Sequence, residues 1–367
     1  MNLLQRLEAE TSGMLAVLER LVNQESPSAD VASLRACGDL VSKVFTEVLG
    51  SPAELLESGG KPHLRWQSGQ PKVLLLAHLD TVWPAGTVAR WPFRVEDERA
   101  TGPGAFDMKG GLVQGLFALA ALGVPEGVVF LVTSDEELGS GTSRELIEST
   151  GREVQAALVL EPALDGALKI ARKGVAGYNV TADGLAAHAS QPELGVNATV
   201  AMAEFALAAA ALADPHAGTT CSPTLVSGGS AANTIPARAT LYVDSRAPST
   251  AEQARIDRGL RAIATSVSGA RLAIDGGPNR EPMPESISRD LFQRVQRLAG
   301  ELGLPEPRGA LAPGGSDGQL TAAVGTPTLD GLGAVGGNAH AEGEFVEVAS
   351  MPQRAALLAA LVQELLG

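Results

Sequence analysis

Three short apolar runs, each ending in metal-binding residue types, constrain this chain more than any other feature. Val73 to Ala77 runs into His78-Leu79-Asp80, Val128 to Val132 leads to Asp135-Glu136-Glu137, and Ala156 to Leu160 leads to Glu161. A short run rich in leucine and β-branched residues, bounded by polar ones, reads as a buried strand. On an extended chain, residues two apart lie on one side, so His78 and Asp80 are presented together. Three parallel strands ending in His, Asp and Glu describe a metal site along the carboxyl edge of the sheet.

The rest of the first half alternates in the same way. Leu3 to Asn23 carries leucine and valine at helical spacing. A helix is expected from Asp107 through Gly123, with Leu112, Leu116, Leu119 and Ala120 on one apolar face. Thr142 to Ser149 is another expected helix, and Thr142-Ser143-Arg144-Glu145 resembles a capping box. Strand and helix in alternation imply an α/β domain with a mixed, largely parallel sheet and helices on both faces. The pattern changes near Lys173. Strands are expected at Gly177 to Thr181, Thr224 to Ser227, Ala239 to Asp244 and Arg271 to Ile274. Helices are expected at Asn197 to Ala213 and Ala251 to Val267. That order, βαββαβ, is ferredoxin-like. Gly276-Gly277-Pro278 reads as an exit linker, and a last helix runs from Pro352 to Leu366. Residues 1–172 and 281–367 thus form one discontinuous domain, with 173–280 inserted.

Composition narrows the function. A net charge of −14 disfavours nucleic acid and anionic membrane surfaces as partners. Two cysteines, Cys37 and Cys221, make neither a disulfide framework nor a zinc-ligand spacing. The first residues carry acids at helical spacing instead of the basic and apolar regions of a signal peptide, so a cytoplasmic protein is expected. The longest apolar stretch, Phe205 to Ala213, is too short to span a bilayer.

Five side chains stand out as ligands: His78, Asp107, Glu137, Glu161 and His340. A set of imidazoles and carboxylates without thiolates suits a catalytic zinc more than a structural one. Taken singly each has a plainer reading, such as a helix N-terminus for Glu136-Glu137. Together they make a stronger case, because the acids follow independent expected strands of one sheet. Asp107 also sits in a glycine-flanked turn, Thr101-Gly102-Pro103-Gly104-Ala105-Phe106-Asp107-Met108-Lys109-Gly110-Gly111, where backbone can approach a ligand closely. The spacing fits neither dinucleotide- nor phosphate-binding loops.

Four strings carry a specific resemblance: His78-Leu79-Asp80-Thr81-Val82, Gly102 through Gly111, Ser134-Asp135-Glu136-Glu137-Leu138-Gly139-Ser140, and Glu161-Pro162. They resemble the aminoacylase-like di-zinc metallopeptidases. That family includes acetylornithine deacetylase, succinyl-diaminopimelate desuccinylase and bacterial glutamate carboxypeptidase. Thr81-Val82-Trp83-Pro84 and Phe106 to Gly111 are most similar to the last branch. The resemblance implies two zinc ions, with Co2+ or Mn2+ as possible substitutes. His78 and Glu161 would hold one, Glu137 and His340 the other, and Asp107 would bridge them. It further implies that Asp80 orients His78, that Glu136 is the general base, and that the Asp107–Met108 peptide is cis. The inserted domain would be a lid that also forms the homodimer. Its His188, in Gly184-Leu185-Ala186-Ala187-His188-Ala189, would reach across the dimer to the oxyanion. Asn233, Arg246 and, on a looser match, Arg280 would bind substrate, with Gly315 in a glycine-rich substrate loop. Arg172-Lys173-Gly174 reads equally as a substrate contact or a solvated basic turn. The implied reaction is release of a C-terminal amino acid such as glutamate from a small peptide, or deacylation of an N-acyl amino acid.

Two rivals remain open at this point. Gly314-Gly315-Ser316-Asp317-Gly318 fits G-x-S-x-G, and Asp330 and His340 follow in the order of a serine-hydrolase triad. Ala310-Leu311-Ala312-Pro313 is poor strand material for the elbow, and this reading leaves Asp107, Glu137 and Glu161 unused. A binding protein on an enzyme's fold is the other alternative, yet all five ligands, Asp80 and Glu136 are present.

Overall fold

The computed structural model describes all residues, 1–367. It divides into two compact units. The first comprises Met1–Ala171, Glu285–Ala312 and Ser316–Gly367; the second comprises Arg172–Pro284 and Pro313–Gly315.

The first unit is built on a six-stranded sheet in the order Glu54–Ser58, Lys61–Ser68, Val128–Thr133, Val73–His78, Ala156–Val159, Thr328–Leu329. The last four strands are mutually parallel and the first two antiparallel. Every residue of Val73–His78 and Val128–Thr133 is buried, because side chains alternate between two covered faces. Val73, Leu75, Ala77, Val128, Phe130 and Val132 join the larger core with the helices Thr11–Asn23, Val31–Leu49, Gly110–Ala121 and Ser350–Leu366. Leu74, Leu76, Val129 and Leu131 face the other way, onto Ile147 and Leu320.

Local expectations are corrected in several places. The first helical stretch breaks at Glu10 into Leu3–Ala9 and Thr11–Asn23. The helix after Asp107 is Gly110–Ala121, and it is buried from Gly110 to Leu119 on all sides rather than along one face. Its glycines allow this. A Cβ on Gly111 would lie 2.0 Å from the Leu160 carbonyl oxygen, so only glycine lets the helix sit this close to the strand that leads to Glu161. The expected capping box does not form. The helix runs Arg144–Glu153, and the Ser143 hydroxyl donates to Asp135 (2.6 Å) instead of capping it.

The second unit is a four-stranded antiparallel sheet in the order Thr220–Gly228, Arg238–Ala247, Gly174–Asp183, Arg271–Arg280. The helices Ala198–Ala210 and Thr250–Arg261 pack on it through Phe205, Met202, Ile256 and Leu260. In chain order this is βαββαβ, a ferredoxin-like unit. Gly276-Gly277-Pro278 is not a linker: it lies inside the last strand, where Gly276 pairs with Tyr178 and Gly277 with Gly177. Gly276 has φ +96°, and a Cβ there would lie 2.3 Å from the Gly177 carbonyl oxygen. These glycines therefore serve close strand pairing, which a punctuation reading of the sequence misses.

Candidate metal centre and active site

Parallel register places the strand ends side by side. His78 is level with Thr133, and Leu76 with Val159. The residues that follow, His78 to Asp80, Asp135 to Glu137 and Glu161, therefore emerge along one edge of the first unit's sheet. The glycine-flanked turn brings in Asp107, whose peptide bond to Met108 is cis. The turn after Gly336–Gly337 brings in His340.

The five expected ligands meet. His78 Nε2 lies 3.4 Å from Asp107 Oδ1 and 3.5 Å from Glu161 Oε1. His340 Nε2 lies 3.3 Å from Asp107 Oδ2 and 3.0 Å from Glu137 Oε1. Asp107 thus stands between two imidazoles with one oxygen toward each. The ligand atoms of His78, Asp107 and Glu137 cluster within 4.8 Å, as do those of His78, Glu136 and Glu161. His78 Nε2 and Asp107 Oδ1 are buried and form no hydrogen bond. A buried imidazole nitrogen and carboxylate oxygen left unpartnered 3.4 Å apart are accounted for by a cation between them. The residues fit the metal group.

The electrostatics agree. Burial pulls the His78 imidazole down, but the carboxylates of Asp107, Asp80 and Glu161 around it outweigh this and hold it well above its ordinary value. Asp107 and Glu137 carry His340 up to about 10. Burial opposes ionisation of Asp107, yet the two histidines keep its carboxyl far below the usual range. Burial pushes Glu137 up. The cluster thus sets several carboxylates against two imidazoles whose basicity they raise, a concentration of negative charge that a cation pair would offset.

Asp80 is fully buried, and its part is broader than expected. His78 Nδ1 donates to the Asp80 backbone carbonyl (3.0 Å), with the carboxylate farther off at 3.4 Å. The carboxylate itself accepts from the Ser28 hydroxyl (2.7 Å) and from the backbone N–H groups of Glu136 (3.2 Å) and Glu137 (3.3 Å). It therefore fixes the turn that carries the expected base and ligand. Asp135 secures the other end of that turn, accepting from the Thr142 N–H, the Thr142 hydroxyl and the Ser143 hydroxyl.

Two charged residues of the site were invisible to motif reading. Lys169 Nζ donates to Glu161 Oε2 (3.2 Å) from the strand Leu168–Arg172. Glu344 is fully buried and accepts four N–H donors around the Asp107 turn; burial pushes its carboxyl up to about 7 against them. Neither belongs to a string with known spacing, so only the fold assembles them.

The serine-hydrolase reading is overturned. Ser316 is fully buried and donates to Asp330 Oδ2 (2.5 Å), while His340 faces Asp107 and Glu137. The preceding Gly309–Ala312 does form a strand, but it pairs with Leu168–Arg172, outside the central sheet.

The second unit holds the other expected residues. His188 is exposed, on a two-residue strand opposite Thr234, and the Ala189 N–H donates to the Asn233 carbonyl (2.8 Å). The structure therefore brings His188 and Asn233 together. Arg246 makes a two-pronged pair with Asp244 at 2.9 and 2.8 Å. Arg280 is buried beside Gly315, where a Cβ would lie 3.2 Å from Arg280 Cδ. Arg172 is not a solvated turn residue: it is buried, and its guanidinium donates to the carbonyls of Gly314 and Gly315 (2.9 Å each).

Comparison with known proteins places this geometry. The family model described as peptidase family M20/M25/M40 matches residues 74–364. The chain is 30% identical to carboxypeptidase G2 from a Pseudomonas strain, over 99% of this chain and 92% of that protein. It is 32% identical to succinyl-diaminopimelate desuccinylase from Rhodospirillum centenum, over 54% of this chain and 58% of that protein. Among solved structures, an M20 family metallo-carboxypeptidase from Sulfolobus solfataricus aligns with a TM-score of 0.76 at 18% identity, covering 95% of this chain and 98% of that one. The aminopeptidase PepT from Bacillus cereus aligns with a TM-score of 0.75 at 20% identity over the whole of both chains. At those identities the structural likeness is one of fold.

Proposed function

The chain belongs to peptidase family M20/M25/M40 and is a metallohydrolase, and from that premise we propose that it uses two zinc ions to release a C-terminal amino acid, glutamate first among them, from a small peptide or N-acyl conjugate. The observation that carries this reading is the position of Asp107, one carboxylate oxygen toward His78 and the other toward His340. His78 and Glu161 would hold one ion, Glu137 and His340 the other, and Asp107 would serve both. The favoured branch rests on the full-length similarity to carboxypeptidase G2. Deacylation of an N-acyl amino acid is the second reading, supported by the partial similarity to the desuccinylases.

When bound, the metal supplies Lewis acidity toward the attacking water and the scissile carbonyl. The chain's own groups do the rest. Glu136 accepts the proton of the attacking water on a carboxylate oxygen and delivers it to the leaving nitrogen. Asp80 holds Glu136 in place through its backbone N–H, and fixes the His78 tautomer by accepting from Nδ1. In the second unit, His188 Nδ1 accepts from the Ser190 N–H (3.2 Å), which leaves Nε2 as the donor. That is the tautomer an oxyanion donor needs. Asn233 beside it, Arg246, Arg280 and Gly315 are the proposed substrate contacts, with Arg able to pair a substrate carboxylate bidentately. A homodimer would supply His188 in trans. A cytoplasmic location is supported by two buried free cysteines. No helix is long and apolar enough to cross a membrane.

The test is turnover of glutamate-terminated dipeptides and folate against N-acetylornithine and N-succinyl-diaminopimelate, metal-free and after adding zinc. Zinc-restored release of glutamate is expected. Zinc-restored cleavage of the acyl amino acids alone would move the enzyme to the deacylase branch.

A further inference from the structure

Glu344 lies four residues beyond His340 and is fully buried. Its Oε1 accepts from the backbone N–H groups of Phe106 and Asp107, each at 2.8 Å. Its Oε2 accepts from the Gly104 N–H (3.0 Å) and the Trp83 indole N–H (2.9 Å). An ionised carboxylate offers about four lone-pair positions, and here four donors take them. The donors come from two separate segments. Trp83 follows the His78-Asp80 strand end, and Gly104 to Asp107 is the turn of the central carboxylate. Glu344 itself extends the His340 turn. One side chain therefore ties together three of the segments that carry ligands.

The His340 turn needs such an anchor. His340 and Asn338 both have φ +60°, the left-handed region that only a few per cent of non-glycine residues enter, Asn and His more readily than most. Local hydrogen bonds close the turn: Asn338 Nδ2 donates to the Gly343 carbonyl (3.2 Å), and the Glu344 N–H to the Ala341 carbonyl (3.1 Å). The Gly102 N–H to Glu344 carbonyl bond (3.3 Å) and the pairing of Phe345–Glu347 with Arg99–Thr101 tie it to the strand that enters the Asp107 turn, but none of these bonds reaches Asp107 itself. The Glu344 carboxylate does, since it grips the Asp107 backbone N–H directly.

We infer that Glu344 is a positioning residue that sets His340 against Asp107 before metal arrives, so that the half of the centre made by Glu137, His340 and Asp107 is preformed. This rests on reading the cluster as a two-metal centre. The positioning is selective. The His78–Glu161 half is held by other means, with His78 on a central strand and Glu161 paired to Lys169. Loss of Glu344 therefore weakens the ion at His340 most, and reaches the ion at His78 only through the shared Asp107 turn and Trp83.

The experiment titrates zinc into metal-free full-length protein against a chromophoric chelator, for wild type and Glu344→Gln. The glutamine amide keeps one acceptor toward Phe106 and Asp107 but turns N–H groups toward Gly104 and Trp83. The expected result is two zinc ions in wild type. In the variant one is bound within a few-fold of wild type and the other roughly 10–100-fold more weakly, the usual effect of losing a supporting partner of a metal ligand. Two ions bound as in wild type by a cooperatively melting variant would overturn the inference and leave the two-metal reading intact. Wild type binding no zinc would defeat that reading itself. Trp83→Phe, which removes one donor only, decides the matter if Glu344→Gln does not fold. An unaltered melting temperature of the metal-free chain with a several-fold weaker second zinc supports the inference, and unchanged zinc affinity overturns it.

Discussion

At the residue scale, the proposed centre separates side chains that would hold metal from the one that would react. Glu136 is anchored by its backbone to Asp80 and stands with His78 and Glu161. Glu136→Gln is expected to keep its full zinc content while turnover falls at least ~100-fold, the usual contribution of a positioned base. Retention of more than a few per cent of turnover would place the base elsewhere. The histidines predict a pH effect with a definite sign. In the metal-free chain Asp107 and Glu137 keep His340 protonated up to about 10, and His78 is likewise raised. Ligation needs neutral imidazole, so loading at pH 7 expels roughly two protons, and apparent zinc affinity climbs as pH rises. Calorimetry in two buffers of different ionisation heat measures this; a binding heat independent of buffer would contradict it.

At the element scale, most of the candidate cluster was legible because strand ends announce themselves. His78, Glu137 and Glu161 each follow an apolar run, and Asp107 sits among glycines, so period and punctuation were enough. What escaped reading depends on contacts between distant segments. Thr142 resembles a cap but its hydroxyl serves Asp135, and Gly276-Gly277-Pro278 resembles a linker but pairs as a strand. Lys169 and Glu344 meet their partners only through the fold. Gly111 shows how tightly helix and sheet are fitted where Glu161 emerges. Gly111→Ala would push a methyl group into the Leu160 carbonyl. A destabilisation of ~1–3 kcal/mol is expected from such overpacking, read as a lower melting temperature together with weaker zinc binding. An unchanged melt would mean that the helix can shift freely.

At the scale of the whole molecule, the second unit carries an open sheet edge. Thr220–Gly228 is one of its two edge strands, with Leu225 and Val226 70% and 74% exposed, and Leu207 on the adjoining helix is 76% exposed. An unpaired edge with exposed apolar side chains invites another chain. We expect a homodimer through this face, and Val226→Lys with Leu207→Glu should yield monomers that lose most turnover, since His188 would lack its acceptor site. A fully active monomer in sedimentation would remove the trans role of His188. The threading of the two units has a further consequence, for synthesis. The inserted unit is nearly contiguous, with all four strands made by Arg280, so it can fold as it leaves the ribosome. The first unit lacks its strand Thr328–Leu329, the proposed ligand His340 and its helix Ser350–Leu366 until well after the insert has been made. A growing chain therefore carries a finished insert on a sheet still missing one strand, and the proposed centre is completed only after the insert.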